Sequence, residues 1–320
     1  MKSSASANTI KYNTKKGNYF QRLFNDIKVN PGLYLMSIPT FILIIVFCYF
    51  PMYGIILAFK YYDSSLGILN SPNVGFENFQ RFFSSYYFSQ YIGNTLIISL
   101  VSLAVGFPLP IILALMLNSI RNGRFKKIFQ MTSYIPNFIS TVVIVAMVIS
   151  FLNPASGIVN TFLRWFGKDP VNFMTEPSYF VAIFVISGVW QSMGWGTIIY
   201  TSALSGVDTQ LYDAAKIDGA NKLQVVLHID LPTILPTVVV CLILAVGGIM
   251  SVGFEKVYLM QNPLNIEASQ VISTYTYQVG LIDADYGFGT AVGLFNSIIN
   301  FILLVIVNIT ARKATGHSIW

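Results

Sequence analysis

Apolar residues run along this chain in six long blocks, each free of Asp, Glu, Lys and Arg: residues 29–59, 82–120, 128–163, 177–207, 231–254 and 286–311. About 20 apolar residues in a helix cross the hydrocarbon core of a bilayer, and every block is long enough to hold them. The pattern predicts spans near 33–58, 92–117, 133–152, 180–200, 234–252 and 290–311. Helix is required there, because lipid offers no partner to an open backbone N–H or C=O. The first block is longer than a signal-peptide core and is read as a retained span. A shorter charge-free run, 268–282, is too short to cross and reads as a re-entrant or surface element.

Composition strengthens this picture. Of 320 residues, 54% are hydrophobic and 10% charged, against about 25% charged in a soluble domain. The net charge of +6 does not imply nucleic acid, because the basic residues sit at the edges of the apolar blocks. Cys48 and Cys241 lie inside apolar runs, which argues against a disulfide framework.

The basic residues also set an orientation. Lys2, Lys11, Lys15, Lys16, Arg22 and Lys28 precede the first span, and Arg121, Arg124, Lys126 and Lys127 separate the second and third. Lys216 and Lys222 separate the fourth and fifth, and Arg312 and Lys313 follow the sixth. The opposite side keeps Lys60, Arg81, Arg164, Lys168 and Lys256. Positive charge stays inside, so both termini are expected in the cytoplasm. Within the N-terminal segment, Tyr19–Val29 can form a short amphipathic helix with Phe20, Leu23, Phe24 and Ile27 on one face.

One polar interval, 201–233, is too long and too patterned for a bare connector. Asp208 is a natural N-cap and Gly219 a natural residue just past a helix end, which predicts a helix over 209–218. Leu211, Ala214, Ala215 and Asp218 then share a face, and two alanines allow another surface close approach. A second amphipathic stretch carries Leu223, Val226 and Leu227, and Pro232 and Pro236 are expected to bracket the turn into the fifth span.

Asp213-Ala214-Ala215, three residues, Gly219, nine residues, then Ile229-Asp-Leu231-Pro232 resembles the EAA signature of the membrane subunits of binding-protein-dependent ABC importers. All spacings match; Asp213 stands where Glu is usual, one methylene shorter. Tyr212-Asp-Ala-Ala with Ile217-Asp-Gly-Ala220, and Trp190-Gln-Ser-Met-Gly-Trp-Gly-Thr-Ile-Ile-Tyr200, are similar to the sugar permeases. So are Phe50-Pro-Met-Tyr-Gly54, Val74-Gly-Phe-Glu-Asn-Phe79 and Ala291-Val-Gly-Leu-Phe295. The likeness is to the polysaccharide and oligosaccharide branch, the LplB-like permeases, and covers the chain from Asn30 onward.

The resemblance implies an all-α integral membrane protein with six transmembrane helices. Residues 1–32 would be a cytoplasmic N-terminal segment and 33–320 the ABC importer transmembrane domain. Its coupling loop, 201–233, would lie in the cytoplasm between spans four and five. The implied partners are a second, homologous permease subunit, a cytosolic ATPase dimer, an extracytoplasmic solute-binding protein and a sugar. The implied location is the bacterial cell membrane. Tyr212, Asp213, Ala214, Ala215, Asp218, Gly219, Ile229, Leu231 and Pro232 are the expected contacts that couple the chain to the ATPase.

The chain has no Gly-x4-Gly-Lys-Ser/Thr loop for nucleotide. ATP and Mg are therefore expected on the partner, with no cofactor, metal or catalytic group in this chain. Its two histidines, His228 and His317, build no triad. A sugar path needs aromatic platforms and amide donors, and Trp190, Gln191 and Trp195 on the fourth span fit, with Asn153, Asn137, Tyr275, Tyr277 and Gln278 as further candidates. Alternatives are an ABC permease for peptides or amino acids, a membrane-embedded transferase, and an ion-coupled carrier. The transferase would need an acidic cluster, for which only Glu255, Glu267, Asp283 and Asp285 offer themselves. The carrier would need ionisable residues within its spans.

Overall fold

A computed structural model describes residues 19–120 and 123–320, and among the described residues no β-strand forms. The chain divides into two units, 1–55 and 56–320.

In the first unit, α1 (Tyr19–Val29) leads into α2 (Pro31–Phe59), which continues into the second. The α1 helix exposes Leu23, Phe24 and Ile27; the side chain of Phe20 lies outside the described residues. Asp26 ties the two helices, accepting from Asn30 Nδ2 at 3.1 Å and from the Tyr34 hydroxyl at 2.9 Å. The first span exposes Leu35, Met36, Phe41 and Phe47, an apolar surface of the kind that meets lipid or a partner protein.

The second unit holds α3 (Glu77–Phe83), α4 (Phe88–Asn118), α5 (Gly123–Phe138), α6 (Thr141–Leu152), α7 (Ile158–Trp165) and α8 (Pro177–Leu204). It continues with α9 (Thr209–Ile217), α10 (Lys222–Gly247), α11 (Phe254–Met260), α12 (Ile272–Tyr277) and α13 (Tyr286–Thr315). Five helices, α2, α4, α8, α10 and α13, are long and apolar enough to cross a membrane. They overlap five of the six predicted spans.

The remaining span departs from expectation. In place of one rod over 133–152, α5 and α6 meet at 98°. Pro136 lies in the last turn of α5, where it has no N–H to continue the helix. Ile139 and Ser140 then turn extended, and the Ser140 hydroxyl caps α6 by accepting from the Val143 amide.

The fifth span also differs. The stretch at 222 and the span are one helix, α10, starting twelve residues before the predicted 234 and ending at Gly247 rather than 252. Pro232 and Pro236 do not bracket a turn; both lie in the helix. A π-type turn at Val226–Asp230 precedes Pro232, and such a widened turn accommodates a residue that cannot donate to the preceding turn.

The α8 helix lies at the centre of the unit, packing on α4, α5, α6 and α10. Phe180, Phe184 and Val185 join Ile98, Val145, Val257 and Met260 in one core, and Tyr200 and Leu204 join Ala114 and Ile234 in another. Gly194 brings α5 against α8: a Cβ there would clash with the Ser133 carbonyl oxygen. Membrane helices approach closely at such small residues. The run 268–282 carries α12 and a following π-type turn; Val271, Ile272 and Thr274 are buried, so it is packed into the fold.

Candidate functional site

The segment between α8 and α10 is built from local signals. The Asp208 carboxylate accepts from the Gln210 amide at 2.9 Å and starts α9. At the other end the Ala220 amide reaches the Ala215 carbonyl and the Gly219 amide the Lys216 carbonyl, the paired bonds of a Schellman motif. That motif needs a left-handed residue, and Gly219 has φ +75°. Asn221 and Gln224 then exchange side chain-to-backbone bonds in a capping box that starts α10. With three caps in seventeen residues, the turn between the two helices is stiff.

The nine residues singled out here divide between two faces. Tyr212, Ile229 and Leu231 pack inward on the core formed by Ala114, Tyr200, Leu204, Val207 and Ile234. Asp213, Ala214, Asp218, Gly219 and Pro232 are exposed and Ala215 is half-exposed. Leu211 and Ile217 are also exposed, Ile217 at 86%. The outer face of α9 is thus apolar and small-sided, with a carboxylate on each side of it.

Beneath α9 is a hydrogen-bonded triad that spacing did not reveal. The Tyr212 hydroxyl donates to Asp230 Oδ1 at 2.6 Å. Asn118 Nδ2, at the end of α4, donates to the same carboxylate oxygen and to the Tyr212 hydroxyl, each at 3.2 Å. Asp230 is 1% exposed, and among the described residues no cation forms an ion pair with it. Two donors therefore carry the desolvated carboxylate. Burial, reinforced by the bond to Asp230, pushes the Tyr212 hydroxyl up to about 12, so it remains a donor at physiological pH. Three elements, α4, α9 and α10, meet at these atoms.

The five proposed path residues do not form one cluster. Trp195 packs edge-on against Phe138, centroids 5.5 Å apart, and Gln191 Nε2 donates to the Ile139 carbonyl at 3.2 Å. Both touch the break between α5 and α6, and Gln191 satisfies a carbonyl that the break leaves open. Trp190 is 47% exposed. A shallow cavity of about 790 Å³ is lined by Trp195, Ile199, Ser202 and Thr237. Asn153 stands apart, its carboxamide oxygen closing the turn after α6 by accepting from the Ala155 and Ser156 amides. Tyr275 is half-buried, 4.6 Å from the Tyr91 ring and 6.1 Å from Phe288. Neighbouring Tyr277 lines a groove of about 410 Å³ with Phe254 and Tyr286.

Two further features escaped the sequence reading. A cavity of about 400 Å³ lies among α4, α8 and the end of α10, with Ser99, Ser102, Ser192 and Ser251 in its lining. Beside it Lys256 is 8% exposed, and burial pushes its ammonium down to about 8. A signal was available: Lys256 is the lone basic residue between 231 and 311. Of Glu255, Glu267, Asp283 and Asp285, Asp285 is paired with Arg81 at 3.0 Å. Among the described residues no three His, Cys, Asp or Glu side chains form a group that could hold a metal.

Comparison with known proteins agrees with this architecture. The chain is 41% identical to the polygalacturonan/rhamnogalacturonan transport system permease protein YteP of Bacillus subtilis (strain 168), over 90% of each chain. It is 37% identical to protein LplB of the same organism, again over 90% of each. Among solved structures, a chain of a bacterial ABC transporter that imports the acidic polysaccharide alginate superposes with a TM-score of 0.84 at 39% identity, covering 92% of this chain and 99% of that one. Residues 106–316, which include α8, α9, the Asp230 triad and α13, match the family described as binding-protein-dependent transport system inner membrane component, and the chain belongs to that family.

Proposed function

We propose that this chain is the permease subunit of an ATP-driven importer of oligosaccharides or polysaccharide fragments, forming half of the translocation pathway. The observation that carries this reading is end-to-end similarity to sugar-transport permeases, at 41% identity to one of them and at a TM-score of 0.85 to a chain of the alginate importer in complex with its pentasaccharide-bound periplasmic protein. It is a multi-pass membrane protein of a binding-protein-dependent system. ATP is hydrolysed by a separate partner, and no nucleotide or metal cofactor belongs to this chain.

In this reading residues 33–320 form the transmembrane domain, with α5 and α6 together making one of six spans. Both termini and the loop 201–233 face the cytoplasm, and the partners are a second homologous permease subunit, an ATPase dimer and an extracytoplasmic solute-binding protein. The exposed face of α9, with Asp213, Ala214, Ala215, Asp218 and Gly219, docks on the ATPase. Closure of the ATPase dimer pushes α9; Tyr212, Asp230 and Asn118 pass the displacement to α10 and α4, while Ile229 and Leu231 keep the base of α10 on the same core. Trp190, Gln191, Trp195, Asn153 and Tyr275 belong to the sugar path.

Isolation of the tagged chain from its native membrane tests this. It should bring down an ABC-type ATPase and a second permease, and the assembly should import oligosaccharide into vesicles when supplied with ATP and its binding protein. Isolation without an ATPase, with sugar uptake driven by an ion gradient, would overturn it.

A further inference from the structure

The helix α1 (Tyr19–Val29) is too short to be stable by itself. Eleven residues are marginal as an isolated helix in water, and helices of this length persist when their apolar face is covered. Among the described residues that face is open. Leu23, Phe24 and Ile27 fall on one side at helical spacing, and all three are exposed, Phe24 at 61%. Lys28 borders them. Its Nζ stands 4.9 Å from the Phe24 ring centroid, so its stem follows the apolar face and its ammonium sits at the rim.

The first span sets the position of α1. Pro31 opens α2, and a residue before proline is driven out of the helical region; Asn30 has φ −123° and ψ 53°. The chain therefore turns a corner between α1 and α2 instead of running on as one rod. The Asp26 carboxylate fastens that corner, accepting from the Asn30 carboxamide and the Tyr34 hydroxyl. The corner directly precedes an apolar helix long enough to cross a membrane, so α1 lies where that helix meets the membrane surface. Charge fits an anionic surface. Residues 1–30 carry Lys2, Lys11, Lys15, Lys16, Arg22 and Lys28 against one acid, Asp26, and Asp26 is the residue bonded back to α2.

We propose that α1 binds anionic lipid, lying in the bilayer surface with Leu23, Phe24 and Ile27 at the boundary of headgroups and acyl chains and Lys28 among the phosphates. Bulky apolar residues bordered by basic ones are what a helix lying in such a surface requires. The positive charge is spread along the segment rather than gathered at one point, which suits a uniformly charged surface better than a single groove on a protein. Docked in this way, α1 holds the near end of the first span at a fixed depth. With the N-terminus in the cytoplasm, as proposed above, the surface is that of the inner leaflet. Nothing else in the proposal rests on the importer reading.

The test is hydrogen–deuterium exchange of the Tyr19–Val29 amides in the full chain, held in nanodiscs of phosphatidylcholine or of an equal mixture with phosphatidylglycerol. Nanodiscs expose both bilayer faces, so the result is independent of orientation and of any transport activity. Exchange should be at least about tenfold slower in the mixed nanodiscs, within what two basic side chains near an anionic surface supply. High salt should weaken the slowing, and Lys28→Gln should lessen it. Phe24→Ser should abolish it, and because Phe24 is exposed that change leaves the packing of the chain itself intact. Equal exchange in the two lipids, fast or slow, would overturn the proposal, and so would slowing that survives Phe24→Ser or high salt undiminished. Slowing seen only when the ATPase is bound would assign the face to a protein partner and overturn it as well.

Discussion

Tyr212 and Asp230 lie eighteen positions apart and share a 2.6 Å hydrogen bond, which joins the short helix α9 to the base of α10. With Asn118 as the third member, the same cluster also joins α9 to the end of α4. Asp230 is buried, so these bonds are not exchanged for water without cost.

Removing the hydroxyl tests that linkage. Tyr212→Phe leaves Asp230 with Asn118 as its remaining donor, and a buried acceptor that loses a partner costs about 1–3 kcal/mol. The melting temperature of the assembled transporter should fall, and more ATP should be hydrolysed per sugar imported. A variant with unchanged melting and an unchanged ratio would show that the bond transmits nothing.

The two tryptophans proposed for the sugar path should separate. Trp195 packs on Phe138, an aromatic contact worth about 0.5–1.5 kcal/mol beyond its buried area, so Trp195→Ala should lower both stability and uptake. Trp190 is 47% exposed, and the proposed function assigns its indole to the sugar path. Trp190→Ala should leave assembly intact while uptake falls about tenfold, the equivalent of ~1.4 kcal/mol. Loss of assembly in Trp190→Ala would mean that its indole packs against a partner subunit.

Sequence reading worked where the signal was local. Asp208 and Gly219 mark the ends of α9 because a cap and a left-handed stop are requirements of adjacent residues. Hydropathy located the long helices for a similar reason. It missed the break at Ile139–Ser140, because a charge-free apolar block does not register Pro136 and Ser140, which end one helix and start another within it. Pro232 misled in the opposite direction: the π-type turn at Val226–Asp230 lets the helix run through it. The triad was illegible because Asn118 and Asp230 are 112 positions apart, and only tertiary packing brings α4 to α10. Lys256 looked like a loop residue until α11 proved to pack against α8.

Topology follows from the distribution of basic residues. With Cys48 and Cys241 replaced, single cysteines at Lys15, Asn70 and Gly316 can be probed with an impermeant thiol reagent in intact cells. Asn70→Cys should be labelled, and Lys15→Cys and Gly316→Cys should not. Labelling at position 15 from outside would refute the six-span arrangement.

The docking of α9 on the ATPase is the central claim, and Gly219 is the residue that tests it most directly. Its φ of +75° makes any side chain strained there, and a Cβ would meet nothing within 4 Å among the described residues. The internal cost of Gly219→Val is therefore limited to roughly 1–2 kcal/mol of backbone strain, small enough for the permease to insert. A greater effect must come from a surface that closes over the glycine from outside. The measurement is sugar uptake together with co-isolation of the ATPase, at equal membrane abundance of wild type and Gly219→Val. Loss of uptake with a weakened or absent ATPase is the predicted result. Wild-type uptake with the ATPase fully retained would contradict the assignment of α9 and Gly219 as the coupling element.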